Sequence, residues 1–183
     1  MPKKIKAIAV YCGSANGHRE EYQEAAKTFA DCLVKNNISL IYVGAKIGLM
    51  GVIADQMMKQ NGEVIGIIPD HLAKWEVAHE NITQLHVVSS MHERKSLIAK
   101  LADAFVMLPG GVGSLDEFFE IFTWARIKLH AKPFGMLNVA NYFNHMINFI
   151  DHAVLEGFLR SDDRDLMIIE NCPYQLLQRF LRN

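Results

Sequence analysis

The sequence predicts a single α/β domain, a mostly parallel sheet flanked by helices on both faces. Strand-like and helix-like segments alternate along all 183 residues. The strand-like segments are largely apolar runs, as expected of strands buried on both faces. Glycine-rich turns separate several of them from the helix that follows, the pattern of a parallel sheet built from crossover units.

Taken in order, Ile5 to Tyr11 reads as a buried first strand, apolar but for Lys6. Arg19 to Lys35 carries helical periodicity through Tyr22, Ala26, Phe29, Ala30 and Leu33. Ser39 to Val43 is a second strand, followed by a glycine-punctuated turn and a helix over roughly Met50 to Lys59. Glu63 to Ile68 is a third strand, stopped by Pro69, and Asp70 to Asn81 reads as a loop with a short helical piece. Leu85 to Val88 is a short strand and Met91 to Ala102 a helix. Ala104 to Leu108 is another buried strand, with a long helix over Ser114 to Leu129. Pro133 to Leu137 is a strand and Tyr142 to Glu156 a helix; a short strand at Leu166 to Ile169 precedes a terminal helix after Pro173. No linker, repeat or low-complexity tract interrupts this order, so residues 1–183 read as one Rossmann-like domain.

Composition narrows the function classes. Formal net charge is −1, so no broad basic field points to a nucleic-acid polymer or an anionic membrane, and phosphate binding must be local. Cys12, Cys32 and Cys172 are an odd number at wide spacings, which suits a reducing compartment and a cytoplasmic protein rather than a disulfide framework. Lysines before an apolar run at the N-terminus superficially mimic a signal peptide. The run is short and has no small-residue cleavage pattern. No apolar stretch reaches the roughly 18 residues of a membrane span. His92, His130, His145 and His152 show no metal-ligand spacing, and no metal or cofactor is expected.

Ligands of open α/β sheets sit beyond the carboxyl ends of the strands, where loops run into helix N-termini. Three such crossings carry glycine: Gly13-Ser14-Ala15-Asn16-Gly17, Gly44-Ala45-Lys46-Ile47-Gly48 and Pro109-Gly110-Gly111-Val112-Gly113-Ser114. A tight turn needs glycine for geometric reasons alone, but bare amides at a helix start also attract phosphate. The third crossing is the richest. It completes neither the dinucleotide GxGxxG nor the GxxxxGK[ST] of triphosphate sites, so a monophosphate fits better.

Two segments next to these turns have two readings each. In Ser114-Leu115-Asp116-Glu117, Ser114 and Glu117 form a capping-box pattern. The same spacing sets the Glu117 carboxylate beside anything bound at that helix start, where it would hold ribose hydroxyls or activate water. In Ser90-Met91-His92-Glu93-Arg94-Lys95, Ser90 and Glu93 repeat the capping box, making Glu93 structural. Arg94 and Lys95 then stand where the helix dipole disfavours cations; they are either solvated or functional.

Together these segments resemble the LONELY GUY family of phosphoribohydrolases, often mislabelled as lysine decarboxylases. Pro109 to Glu117 resembles the family's PGGxGTxxE with serine for threonine, and Met91 to Lys95 resembles its MHxRK. Tyr11-Cys12-Gly13-Ser14, Gly48-Leu49-Met50-Gly51, Gly62 to Pro69 and Thr123-Trp124-Ala125 are similar to further family segments. The resemblance implies hydrolysis of the bond between a base and ribose 5-phosphate, on AMP or an N6-substituted cytokinin nucleotide. It implies Arg94 and Glu117 as the catalytic pair. Gly110, Gly111, Val112, Gly113, Ser114, Leu115, Asp116 and Glu117 would wrap phosphate and ribose, with Ser14, Gly44, Glu76, Lys95 and Thr123 as further substrate contacts. It also implies a homodimer. Val43 and Ala45 stand where the family has glycines, and their side chains are expected to narrow the pocket; Asp116 stands where many relatives have glutamate. A non-catalytic nucleotide or molybdenum-cofactor carrier keeps the glycine turns without requiring both Arg94 and Glu117. A pyridoxal-phosphate lysine decarboxylase would need a Schiff-base lysine, and the sequence offers none in a convincing context.

Overall fold

Ile8, Ala9, Leu40, Ile41, Ala104, Phe105, Val106 and Met136 are each 0% exposed, so the apolar runs fill the middle of a two-sided sheet. The computed structural model describes residues 4–73 and 78–182. In chain order these residues form β1 (Ala7–Tyr11), α1 (Glu20–Lys35), β2 (Ser39–Tyr42), α2 (Gly48–Lys59), β3 (Val64–Pro69), α3 (Asp70–Ala73), β4 (Gln84–Val88) and α4 (Met91–Leu101). There follow β5 (Ala104–Met107), α5 (Val112–Arg126), β6 (Phe134–Leu137), α6 (Asn144–Leu155), α7 (Ser161–Asp165), β7 (Met167–Glu170) and α8 (Pro173–Arg182).

The seven strands lie in the order β4-β3-β2-β1-β5-β6-β7, and every neighbouring pair is parallel. The chain thus builds outward from β1 to one edge, then returns to β5 and builds to the other. Crossovers of one hand deposit helices on opposite faces when the direction of travel reverses. Accordingly α1 packs on α2 and α8, while α4 packs on β1, β2 and β3, and α5 on β1 and β5. The order reverses between β1 and β5, which opens a crevice at their carboxyl ends.

Backbone contacts knit the glycine turns together at that crevice. The Gly13 amide donates to the Pro109 carbonyl at 3.0 Å, and the Leu49 amide donates to the Gly13 carbonyl at 3.0 Å. Gly48 has φ +57°, and a Cβ there would lie 2.3 Å from the Ser14 carbonyl carbon. Glycine is obligatory at this point for both conformation and space.

Several boundaries differ from the sequence reading, each for a local reason. Helix α5 begins at Val112, with Gly111 in extended backbone before it, so Ser114 is inside the first turn rather than at the cap. The same helix stops at Arg126 because Lys128 takes a left-handed φ of 62°. Helix α6 starts at Asn144 instead of Tyr142, since Ala140 and Asn141 are left-handed within a tight 3-10 turn at Val139–Asn141. The five-residue α7 is too short to leave a periodic signal in the sequence. Of the segment read as a loop with a helical piece, the described part contains α3. Among the described residues no helix is long and apolar enough to cross a membrane.

Gly48→Ala is expected to cost about 2–5 kcal/mol, from the left-handed backbone and the clash with the neighbouring turn. Urea denaturation measures it, and a midpoint equal to that of the parent would contradict this packing.

Candidate active site

Helix α4 opens on Ser90, whose Oγ accepts from the Glu93 amide at 3.2 Å. The Glu93 carboxylate turns back to accept from the Ser89 amide at 2.8 Å and the Ser89 hydroxyl at 2.7 Å. The cap is therefore real but displaced by one residue from a capping box, and Glu93 serves the helix start. That leaves the next two residues free to reach across to α5.

Arg94 is turned inward and is 7% exposed; its Nη2 donates to Glu117 Oε1 at 2.5 Å, and Glu117 is also 7% exposed. Lys95 Nζ donates to Asp116 Oδ2 at 2.8 Å and stands 3.4 Å from Glu120 Oε2. The cations that sat badly on the α4 dipole are thus held by carboxylates of α5. With α5 starting at Val112, Glu117 has no part in capping it; the carboxylate goes to Arg94 instead.

Burial raises the Glu117 carboxyl to about pKa 7, against the opposing pull of Arg94 and Lys95 and with a smaller upward push from Asp116. The group therefore exchanges its proton near neutrality, which a surface glutamate does not. Arg94 Nε is buried and has no partner among the described residues. At the end of β1, burial first and Glu117 second raise both the Tyr11 phenol and the Cys12 thiol, which keeps both protonated. Cys12 is thereby unsuited to act as a nucleophile.

Beside this pair lies the Pro109–Ser114 turn. A Cβ on Gly110 would come 2.3 Å from Ser114 Oγ and 2.8 Å from the Gly13 amide nitrogen, so packing alone demands glycine there. On Gly111 or Gly113 an added Cβ would meet nothing within 4 Å. Gly111, Val112 and Gly113 are exposed, and no side chain caps the helix start, so the first amides of α5 face open space. An adjoining cleft of about 240 Å³ is walled by residues 13–17, Tyr22, Leu49, Pro109, Gly110, Gly111 and Tyr142. A larger depression of about 1260 Å³ lies at the amino ends of the strands, around Asp103, Pro133 and Leu166. Its size carries less weight than the chemistry at the strand carboxyl ends, where ligands of this architecture sit.

The remaining expected site residues scatter. Ser14 lines the cleft and is exposed. Gly44 has φ +79° and is packed against Ile67, Ile68 and Leu85, so its glycine serves the turn. Val43 and Ala45 are buried in the core and are not among the residues that line this cleft. Leu115 packs against the core. Thr123 is exposed and donates its hydroxyl to the Phe119 carbonyl of its own helix at 2.7 Å. Glu76 lies outside the described residues. Tyr22 and Tyr142 were missed as cleft residues, since the sequence marks them only as helix positions. Among the described residues no three His, Cys, Asp or Glu side chains converge as a metal site requires.

Fold and site together define an open parallel α/β protein with a cleft at its switch point and a buried arginine–carboxylate pair alongside. Comparison with known proteins refines this. Residues 50–180 match a family profile described as "Possible lysine decarboxylase". The chain is 44% identical over 165 residues to cytokinin riboside 5'-monophosphate phosphoribohydrolase LOG of Oryza sativa subsp. japonica, covering 90% of this chain and 68% of that protein. It is 41% identical over 176 residues to LOG3 of Arabidopsis thaliana, an enzyme of the same name, covering 96% and 82%. The Rhodococcoides fascians phosphoribohydrolase is 41% identical over 165 residues, covering 90% and 83%. The chain belongs to this family, the LONELY GUY (LOG) family. Among solved structures, the molybdenum cofactor binding protein of Rippkaea orientalis superposes with TM-score 0.72 at 17% identity, covering 98% of this chain and 96% of that one. The molybdenum cofactor carrier protein of Chlamydomonas reinhardtii gives 0.71 at 15%, covering 98% and 100%; both show the same fold.

Two outcomes follow from the burial of Glu117. Its carboxyl carbon, followed by NMR, should titrate near pH 7, and Arg94→Met should move the midpoint upward by removing the opposing charge; a midpoint near 4.5 would contradict the site geometry. Between the unfolded value of 4.5 and the folded value of about 7 the native state binds the extra proton. The Glu117 contribution to stability therefore falls as pH rises through that window.

Proposed function

We propose that the protein hydrolyses the N-glycosidic bond of a purine nucleoside 5′-monophosphate, AMP or an N6-substituted cytokinin nucleotide, releasing free base and ribose 5-phosphate. The observation that carries this reading is the buried Arg94–Glu117 pair beside the exposed amides of the Pro109–Ser114 turn. Its family membership supports the same chemistry.

In this reading the 5′-phosphate sits on the amides of Gly110, Gly111, Val112, Gly113 and Ser114, where the helix dipole favours an anion. Leu115 underpins that turn from the core side. Binding energy from this remote group positions the sugar for reaction at its anomeric carbon. By analogy with O-glycosides, the C–N bond breaks through an oxocarbenium-like transition state. Glu117 holds the ribose hydroxyls, stabilises the developing positive charge and deprotonates the attacking water. A carboxyl with a pKa of about 7 is well matched to that proton transfer at neutral pH. Arg94, with a buried Nε lacking a protein partner, hydrogen-bonds or balances charge on the departing purine. Asp116 and Lys95 hold each other at the rim, and Ser14, which lines the cleft, is the further substrate contact this reading keeps, with Gly44 serving its turn and the Thr123 hydroxyl held by its own helix.

The rivals lack a specific observation in their favour. A carrier has no need of a carboxyl poised near neutrality. A Schiff-base lysine must lose its proton readily. Partial burial pulls the Lys95 ammonium down, but the hydrogen bonds and charges of Asp116 and Glu120 outweigh that and raise it. We further propose a homodimer, supported by the exposed apolar side chains of Val112, Ile127 and Leu129 at the ends of α5. A cytoplasmic setting is supported by the free thiols Cys12, Cys32 and Cys172.

Chromatography of AMP incubations tests the chemistry. Glu117→Gln should lower adenine release by roughly 10²–10⁴-fold while AMP still binds. In the parent, kcat/KM should climb as pH rises through about 7, because the carboxylate is the working form. Activity in the glutamine variant equal to the parent's would discard the mechanism. A monomeric mass by light scattering would remove the dimer.

A further inference from the structure

Tyr142 has no role in the chemistry above, yet the structure spends conformational strain to place it. It stands between β6 and α6, and its ring lines the cleft together with Gly13, Ser14 and Gly110. The connection is anchored by Asn138, itself buried. The Asn138 amide donates to the Glu170 carbonyl at 2.8 Å, its Oδ1 accepts from the Phe143 amide at 2.8 Å, and its Nδ2 donates to Asn144 Oδ1 at 2.8 Å. Within that clamp Ala140 and Asn141 are both left-handed, with φ of 48° and 61°. An alanine takes that conformation only at a cost, and such outliers persist where the surroundings impose them.

What the strained turn delivers is one hydrogen bond. The Tyr142 hydroxyl donates to the Gly110 carbonyl at 2.7 Å. Its ring meets that of Tyr22 edge-on at 5.6 Å and 75°, and Tyr22 in turn fills the space beside Gly17, where a Cβ would lie 2.7 Å from the ring. The ring is thus braced by Tyr22 on one side and by Phe143, edge-on at 4.9 Å, while the residue stays 43% exposed at the cleft. The chain has no cis peptide bonds among the described residues, and in a trans peptide the carbonyl and the N–H point in opposite directions. Fixing the Gly110 carbonyl on Tyr142 therefore aims the Gly111 N–H away from it, and Gly111 is an exposed residue whose Cβ position meets nothing within 4 Å.

We infer that Tyr142 is a positioning residue of the phosphate site, acting through the Gly110 carbonyl to hold the Gly110–Gly111 peptide with its amide presented to the 5′-phosphate. This rests on the hydrolytic reading proposed above. Tyr142 makes its contribution to binding of the phosphate group, not to the chemical step or to the base.

Tyr142→Phe tests it, since phenylalanine keeps the ring and its edge contact and removes only the hydroxyl. The expected result is a KM for AMP raised about threefold to tenfold, the scale of one hydrogen bond, with kcat within about twofold of the parent. Inhibition by ribose 5-phosphate should weaken by the same factor, and inhibition by free adenine should not change. Unaltered KM and unaltered ribose 5-phosphate inhibition in an active protein would overturn the inference and leave the hydrolytic reading standing. A fall in kcat alone, or equal weakening of adenine and ribose 5-phosphate, would overturn it in favour of a general disturbance of the cleft. Absence of base release from any purine nucleotide by the parent would remove the hydrolytic reading, and the role of Tyr142 with it.

Discussion

The ion pair between Arg94 and Glu117 is the constraint around which this molecule is arranged. Two charged side chains that are each 7% exposed are costly to desolvate, and removing one partner of such a pair costs about 3–5 kcal/mol. The pair exists only because α4 and α5 lie on the same face near the crevice between β1 and β5. That placement in turn requires the strand order to reverse after β4. Burial also gives the pair its chemical character. Desolvation outweighs the favourable field of two cations, so the carboxyl gives up its proton near neutrality instead of near pH 4.

Around that pair the glycines divide into two kinds. Gly48 and Gly110 are needed because neighbouring backbone or Ser114 occupies the space a side chain would take. Gly111 and Gly113 meet no such obstacle, so packing does not account for them, and in the proposed reading their bareness serves the approach of an anion to the first amides of α5. A turn built of both kinds can pack tightly on the sheet and still present backbone outward. Such an arrangement suits a ligand whose charge is small and local, in keeping with a chain of formal net charge −1.

Much of this was legible in the sequence, because a parallel sheet buried on both faces writes itself as apolar runs and its turns as glycine. The crevice followed from the same signals, and the misfit of Arg94 and Lys95 at a helix start is met by their pairing with Glu117 and Asp116 of α5. Other features were beyond reach. The spacing of Ser114 and Glu117 fits a capping box, and only the start of α5 at Val112 shows that Glu117 is directed at Arg94 instead. That Val43 and Ala45 are buried in the core is likewise set by the turn after β2, which their residue types do not reveal. Tyr142 is hidden for a different reason: left-handed alanine has no sequence signature, so the periodicity places a helix start where a tight turn directs the tyrosine hydroxyl to the Gly110 carbonyl.

A crystal structure of the protein with ribose 5-phosphate addresses the central claim most directly. The account predicts phosphate oxygens within hydrogen-bond reach, about 3 Å, of the amides at Gly111 to Ser114. It also predicts the anomeric carbon within about 3–4 Å of the Glu117 carboxyl group or of a water that it holds. A phosphate seated elsewhere, or a sugar remote from Glu117, would contradict it.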